Sequence, residues 1–172
     1  AAACVLPTPV PAVLLQLNDS KKLTAEEREA LFPLIVQHAI AFGVAVVESV
    51  RIDEINILRA SLAAMAEALE RCEAMLRAKR GDDDIVVHGA VIDGNMKAPL
   101  PERVSQRTVI GGDAKSRPIM AASILAKVTR DRRMIEEHAR FPGYGFDAHK
   151  GYGTPQHLRA LAELGPDRKS VV

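Results

Sequence analysis

Two aspartates follow patterns that are typical of metal ligands. Asp93 closes an apolar run (85–92) that predicts a buried strand, and Asp113 lies in the segment G-G-D-A-K-S (111–116), ahead of a helix rich in Lys and Arg. The end of a strand is the usual position of a site in an open α/β sheet. Mg²⁺ prefers carboxylate oxygens and takes waters and substrate phosphates as its remaining ligands. The two residues therefore predict a divalent-cation site that acts on a phosphate ester.

Composition predicts one globular domain over residues 1–172. The chain is 48% hydrophobic and 26% charged, and at this length a single core buries roughly 70% of the unfolded surface. No apolar run approaches the ~20 residues of a membrane span, and no secretory signal pattern opens the chain, so we expect a cytoplasmic protein. Cys4 and Cys72 lie far apart in sequence and are expected to be reduced, packed thiols.

The net charge of +1 hides an uneven distribution. Residues 113–172 contain 11 Lys and Arg against 7 Asp and Glu, whereas residues 1–112 contain 12 against 15. A local excess of cations beside candidate metal ligands favours a polyanionic partner such as nucleic acid. A solvated helix face is the alternative interpretation.

Sequence patterns predict alternating helices and strands around the two aspartates. Thr24 and Glu27 form a capping box, Gly43 is expected to end the first helix, and Asp53 is expected to cap the second. The predicted strands are 1–6, 44–50, 85–92 and 107–110, and the predicted helices are 24–42, 54–79, 119–140 and 155–164, with an ordered Gly-rich and aromatic loop at 141–154. This pattern indicates an α/β fold with a mixed sheet.

Six motifs occur in an order and spacing that together resemble one family, bacterial ribonuclease HII, the type 2 ribonuclease H. They are L-N-D-S-K-K-L-T (17–24), I-D-E-I-N-I-L (52–58), I-D-G-N (92–95), G-D-A-K-S (112–116), A-A-S-I-L-A-K-V-T-R-D-R (121–132) and F-P-G-Y-G-F-D-A-H-K-G-Y-G-T-P-Q-H (141–157). Each motif is weak alone, and their joint order over nearly the whole chain is specific.

The resemblance implies a fold, an activity and a cofactor. The fold would be ribonuclease H-like, a mixed sheet flanked by helices with a C-terminal region of helices and loops. The protein, a monomer, would cut the RNA strand of RNA–DNA hybrids and nick duplex DNA on the 5′ side of an embedded ribonucleotide, using Mg²⁺ or Mn²⁺. Asp93 and Asp113 match the third and fourth acidic ligands of such enzymes, which hold two metal ions.

The chain also departs from the family pattern at its start. The family's first strand carries an Asp-Glu pair followed by a Gly-Arg-Gly turn, and here the sequence begins after that point, at Ala1. The C-terminal Arg168-Lys169-Ser170 matches only part of the family's closing basic motif. These departures predict a chain that is truncated at both ends, lacks the first strand and has little activity. A non-catalytic nucleic-acid-binding relative and an inactive fragment are the alternatives.

The resemblance also implies substrate-binding residues. Tyr152 matches the tyrosine that stacks on the sugar at the junction and senses the 2′-OH. Lys21, Lys22, Ser116 and Lys127 are candidate phosphate contacts, with a solvated surface role as the alternative. His149 is predicted either to order its loop or to shuttle protons near the metals, and a zinc site with His157 is disfavoured because no cysteine lies at finger spacing.

Overall fold

The computed structural model describes residues 1–165, which contain four strands and six α-helices. The strands are β1 (Ala2–Val5), β2 (Ala41–Val44), β3 (Gly89–Asp93) and β4 (Ser105–Val109). The helices are α1 (Ala25–His38), α2 (Ser49–Ile55), α3 (Ile57–Arg80), α4 (Arg117–Arg140), α5 (Phe146–His149) and α6 (Pro155–Leu164). None of the helices in residues 1–165 is long and apolar enough to cross a membrane.

The described strands form two pairs. β1 and β2 are antiparallel, with Ala2 opposite Val44, whereas β3 and β4 are parallel, with Asp93 opposite Val109. Helix α3 packs on β2, and α4 packs on β1 and α1. The predicted α/β class is confirmed, and both strand orientations of the predicted mixed sheet are present, divided between two two-stranded sheets.

The main core lies between α1 and α4 and fixes the position of α4. Its fully buried members include Ile35 from α1 and Ile124, Leu125 and Val128 from α4. Burying such side chains stabilises the fold by about 1.5–3 kcal/mol each. A second cluster, made by Met134, Tyr144, Phe146 and Ala160, holds the segment after α4 against the C-terminal half of that helix.

The first helix begins as predicted and ends earlier. Thr24 and Glu27 form both hydrogen bonds of the capping box. The helix ends at His38, so the prediction that Gly43 ends it is wrong. Gly43 instead lies within β2, where a Cβ would come 2.2 Å from the carbonyl oxygen of Ala68. The glycine therefore permits close packing of β2 against α3.

The predicted strand 44–50 and the predicted cap at Asp53 are also wrong. The chain leaves β2 at Val44 and forms α2 from Ser49, so Asp53 lies inside a helix. The cap of α3 is Asn56, which has a φ of 68° and whose side chain accepts the N–H of Arg59. Asn tolerates this left-handed φ better than most residues, and it allows the sharp break between the two helices.

The remaining predicted elements need only small adjustments. Strand β3 covers the last part of 85–92 and includes Asp93, β4 starts at Ser105, and α6 matches its predicted range. The segment 141–154 is ordered as predicted, but the expectation that it has no regular structure is wrong, because it contains a 3₁₀ turn at Pro142–Tyr144 and the short α5. Arg168-Lys169-Ser170 lies outside the described residues.

The two cysteines are free thiols, as predicted. Burial raises the pKa of Cys4 to about 12 and that of Cys72 to about 11. Both thiols are therefore protonated at neutral pH and are poor nucleophiles.

Candidate active site

Asp93 lies at the carboxyl end of β3 and is oriented by the backbone of the segment before α4. Its Oδ1 accepts the N–H of Gly112 at 2.8 Å. The other carboxylate oxygen accepts no hydrogen bond from residues 1–165, and the side chain is half-buried. Asp93 therefore has one oxygen held by the protein and one available to a ligand.

Asp113 lies in a tight turn directly after Gly112. Gly111 adopts a φ of 66°, residues Gly112–Ala114 form a 3₁₀ turn, and α4 follows from Arg117 with a proline in its first turn. The Asp113 side chain is only 6% exposed. The hydrogen bond to Gly112 connects Asp93 to the residue next to Asp113, so the two predicted ligands from separate elements are brought to the same place.

Lys21 reaches this place from the loop before α1. Its Nζ lies 2.8 Å from Asp113 Oδ2. The hydrogen bond and the charge of Asp113 raise the pKa of Lys21, and the charge of Asp93 adds to this effect. Both carboxylates therefore act electrostatically on one ammonium group, and we name these three residues the aspartate cluster.

The backbone that carries Lys21 is held by a separate set of contacts. The Lys21 N–H donates to Asp19 Oδ1, and Arg28 of α1 donates to the carbonyl oxygen of the buried Ser20. Arg28 also forms an ion pair of 3.4 Å with Asp131 of α4. The loop is thus attached to α4, the helix that also follows Asp113.

Tyr152 lies over the middle of α4 between two cations. Lys127 Nζ donates to the Tyr152 hydroxyl at 3.1 Å, and the Arg130 guanidinium lies 4.1 Å from the ring centroid. Arg130 also donates to the carbonyl oxygen of Lys150. The tyrosine remains 48% exposed. These contacts define a basic tyrosine cluster, about 15 Å along α4 from its first residue at 1.5 Å per residue.

The electrostatics of Tyr152 reflect competition between burial and positive charge. Burial alone would raise the pKa of the hydroxyl, but the hydrogen bond from Lys127 and the charges of Arg130 and Lys127 outweigh it and lower the pKa. Such an environment also favours other anions, including phosphate.

Lys22 and Ser116 flank the aspartate cluster. Lys22 is exposed and forms no ion pair with any residue in 1–165. Ser116 occupies the N-cap position of α4, where its side chain makes no capping hydrogen bond. Both positions are compatible with phosphate contacts.

His149 is buried and bonded to backbone through both ring nitrogens. Its Nδ1 accepts the N–H of Gly151, so Nε2 carries the proton and donates to the carbonyl oxygen of Tyr144 at 2.7 Å. Its ring stacks on His157 with 4.4 Å between centroids. These contacts favour the loop-ordering alternative, since neither nitrogen is left to transfer protons.

The donor set of the aspartate cluster suits one hard divalent cation. Two carboxylates supply oxygen ligands and leave the other positions open, which is the manner in which Mg²⁺ is usually bound. Within residues 1–165, no group of three or more His, Cys, Asp or Glu side chains is placed to hold a metal. The set therefore fits a cation that shares its coordination with water and a phosphate.

Sequence patterns gave little indication of two contributors to these clusters. The Gly112 N–H that orients Asp93 is a backbone group, and its only sequence signal is the paired glycine before Asp113. The Arg28–Asp131 ion pair joins residues of two helices that are distant in sequence. No local spacing could have identified that pair.

A family model and the relatives that are similar in sequence indicate the same family. The model of the family described as Ribonuclease HII matches residues 1–171. Ribonuclease HII of Burkholderia pseudomallei (strain 1710b) is 49% identical over 166 residues, which are 96% of this chain and 71% of that protein. Ribonuclease HII of Xylella fastidiosa (strain M12) is 47% identical over 150 residues, 87% of this chain and 59% of that protein.

Solved structures show the same fold. The ribonuclease H2 of Pyrococcus horikoshii OT3 has a TM-score of 0.66 at 22% identity, over 92% of this chain and 75% of that one. The match in the PCNA:RNase HII complex of Archaeoglobus fulgidus has a TM-score of 0.59 at 24% identity, over 96% and 80%. The fold is therefore ribonuclease H-like, and by its sequence the chain belongs to the ribonuclease HII family of ribonuclease H-type endonucleases.

Proposed function

We propose that the chain hydrolyses the RNA strand of RNA–DNA hybrids and nicks duplex DNA on the 5′ side of an embedded ribonucleotide, with Mg²⁺ or Mn²⁺ as cofactor. The observation that carries this proposal is the aspartate cluster, in which carboxylates from β3 and from the turn before α4 act on one ammonium group. A cytoplasmic monomer that takes part in ribonucleotide excision repair is the corresponding cellular role, and the two free thiols are in keeping with a reducing compartment.

Asp93 and Asp113 are the residues that would hold the cation. When bound, a divalent metal stabilises charge on a phosphoryl oxygen and makes a water more nucleophilic. The Gly112 N–H fixes the rotation of the Asp93 carboxylate, so little reorganisation is needed at that ligand. The burial of Asp113 strengthens its interaction with any cation that replaces the water around it.

The basic tyrosine cluster is the proposed site of ribonucleotide recognition. Arg130 supports the Tyr152 ring while nearly half of the tyrosine remains exposed for stacking on a nucleotide sugar. The 2′-OH separates RNA from DNA, and a hydroxyl-bearing ring beside it can sense that group. Lys127, Lys21, Lys22 and Ser116 are the proposed phosphate contacts.

The decisive experiment is Mg²⁺-dependent nicking of a DNA duplex that contains one ribonucleotide. We expect one cut on the 5′ side of the ribonucleotide, no cut in the all-DNA duplex, and a loss of at least 100-fold in Asp93→Asn and Asp113→Asn. Cleavage that both asparagine variants retain would contradict the proposal.

Binding without cleavage is a second candidate function. It is favoured by one observation, that only two acidic side chains meet in the aspartate cluster within residues 1–165. It predicts that the ribonucleotide-containing duplex is bound more tightly than the all-DNA duplex but remains intact in Mg²⁺ and in Mn²⁺. Fluorescence anisotropy with both duplexes, run beside the nicking assay, separates the two functions.

A further inference from the structure

Lys21 supplies the positive charge next to Asp113. The side chain of Asp113 is 6% exposed, whereas that of Lys21 is 73% exposed, so the ion pair joins a buried anion to a solvated cation. Burying a carboxylate without a counter-charge is costly. Lys21 therefore supplies the counter-charge of the buried Asp113 carboxylate.

The ammonium group also occupies one of the two Asp113 oxygens at which a cation would bind. It is 2.8 Å from Oδ2, within the shell in which a divalent ion and its waters would lie. Two cations this close to one oxygen repel each other. Lys21 and a divalent cation thus compete for the same carboxylate.

Lys21 can leave once a bound cation supplies the charge that Asp113 needs, because the lysine head is solvated and its stem is flexible. The backbone around it need not move. Asp19 holds the Lys21 N–H, and Arg28 holds the carbonyl oxygen of Ser20, so rotation of the Lys21 side chain alone frees Asp113.

We propose that Lys21 is a built-in counter-ion of Asp113 that a divalent cation displaces, so that the lysine becomes free to contact a substrate phosphate only when the metal is bound. This inference rests on the proposed function, since it takes Asp113 as a metal ligand. It assigns Lys21 two successive partners, the carboxylate and then the phosphate.

Mn²⁺ binding to the substrate-free protein tests the exchange directly. The free ion is followed by its electron paramagnetic resonance signal, which needs no turnover. We expect Lys21→Met to bind Mn²⁺ about two- to fivefold more tightly than the wild type, the range for removing a competing ion pair whose cation is exposed. The control is Lys97→Met, which removes the same charge from an exposed residue four positions beyond Asp93.

The outcomes separate this inference from the proposed function. Tighter binding in Lys21→Met than in Lys97→Met, abolished by adding Asp113→Asn, supports the exchange. Binding that depends on Asp113 but is equal or weaker in Lys21→Met overturns the exchange and leaves the metal site standing. The absence of any Asp113-dependent binding in wild type and variants overturns both.

A measurement on chemically labelled protein guards against misfolding of the methionine variant. Reductive methylation with ¹³C formaldehyde keeps the lysine charge and gives one resonance per amine, and the Lys21 signal is assigned with the charge-conserving Lys21→Arg. Mg²⁺ should shift the Lys21 signal and leave the Lys97 signal in place. A Lys21 signal that stays fixed while Mg²⁺ binds would overturn the exchange.

Discussion

At the scale of single residues, the geometry of the site depends on a glycine. A Cβ on Gly112 would come 2.5 Å from Ile119 Cδ1 and 3.1 Å from Asp93 Oδ1. A larger residue would therefore displace the Ile119 side chain and crowd the Asp93 carboxylate, which would disturb the hydrogen bond that orients Asp93. The glycine allows β3 and the turn before α4 to approach closely enough to place both carboxylates together.

Tyr152 provides a residue-scale prediction about electrostatics. Its pKa lies below the ordinary value of 10.0 although burial opposes this, because Lys127 and Arg130 favour the phenolate. Replacing Lys127 by Met removes the hydrogen bond and one charge while burial remains. We expect the midpoint of phenolate formation, followed by absorbance at 295 nm, to move to higher pH than in the wild type.

The buried Tyr144 also absorbs in this titration, so each curve is corrected by subtracting the matching Tyr152→Phe variant. Arg132→Met serves as the control, because Arg132 lies on the same helix but pairs with Glu29 and stacks on Phe32. A Tyr152 midpoint that is the same in Lys127→Met and in the wild type would show that the lysine does not act on the hydroxyl.

At the scale of elements, Glu73 connects α3 to the segment that leads into β3. One oxygen of this buried carboxylate accepts a hydrogen bond from the N–H of Val87 at 2.7 Å. Both of its oxygens accept hydrogen bonds from the Arg103 guanidinium. Arg77 is a third partner and the second positive charge. Burial alone would raise the pKa of Glu73, but the Val87 N–H and the two arginines outweigh it and lower the pKa below 4.5.

The stability that Glu73 provides should depend on pH. A depressed pKa means that the contribution is present above 4.5 and is lost as pH falls through the folded-state value. We expect Glu73→Gln to lower the free energy of unfolding by about 2 kcal/mol at pH 7, as for a buried, charge-assisted hydrogen bond. The difference from the wild type should shrink in acid, where Glu73 is protonated. Urea unfolding at a series of pH values measures this difference in the free energy of unfolding.

The control for this experiment is Glu70→Gln on the same helix, since Glu70 is exposed and forms no ion pair with residues 1–165. It should change stability by less than about 0.5 kcal/mol at every pH. If Glu73→Gln lowered the free energy of unfolding by the same amount at pH 7 and in acid, the negative charge of Glu73 would not be what connects α3 to the segment before β3.

Sequence patterns predicted an element correctly where hydrogen bonds between neighbouring residues determine where it begins. The Thr24–Glu27 capping box fixes the start of α1 through two nearby hydrogen bonds, and sequence reasoning found it. Gly43 was misinterpreted because its role is tertiary, the close approach of β2 to α3. Asn56 was overlooked as a cap because it works from a positive φ after a helix that sequence patterns did not predict.

At the scale of the whole molecule, the candidate site also combines residues that local sequence patterns identify with residues that only tertiary packing brings together. The two aspartates stand out locally, one at a strand end and one in a glycine turn, so the sequence predicted them as a pair. Their partner Lys21 lies 92 residues before Asp113, and only packing of the loop against α4 through Arg28 and Asp131 brings it there. A contact of that kind has no local pattern.

The fold also changes how the uneven charge should be interpreted. Arg132 and Arg133 of α4 contribute to the positive excess after Asp113, yet Glu29 and Glu48 pair with them. These two arginines are therefore largely neutralised by the acidic half of the chain. Lys22, which forms no ion pair with residues 1–165, is among the cations that remain near the candidate site.

A salt titration of duplex binding tests this distribution of charge. Each phosphate neutralised contributes about −0.9 to the slope of log K against log salt concentration. Without a divalent cation Lys21 stays on Asp113, so with Lys22 and Lys127 as phosphate contacts we expect a slope of about −2, far shallower than the 11 basic residues after position 112 would suggest. Lys22→Gln should reduce the slope by about 0.9. Arg80→Gln removes the same charge from the exposed end of α3, outside both clusters of the candidate site, and should leave the slope unchanged. Equal effects of the two variants would mean that net charge, and not a positioned lysine, drives the binding.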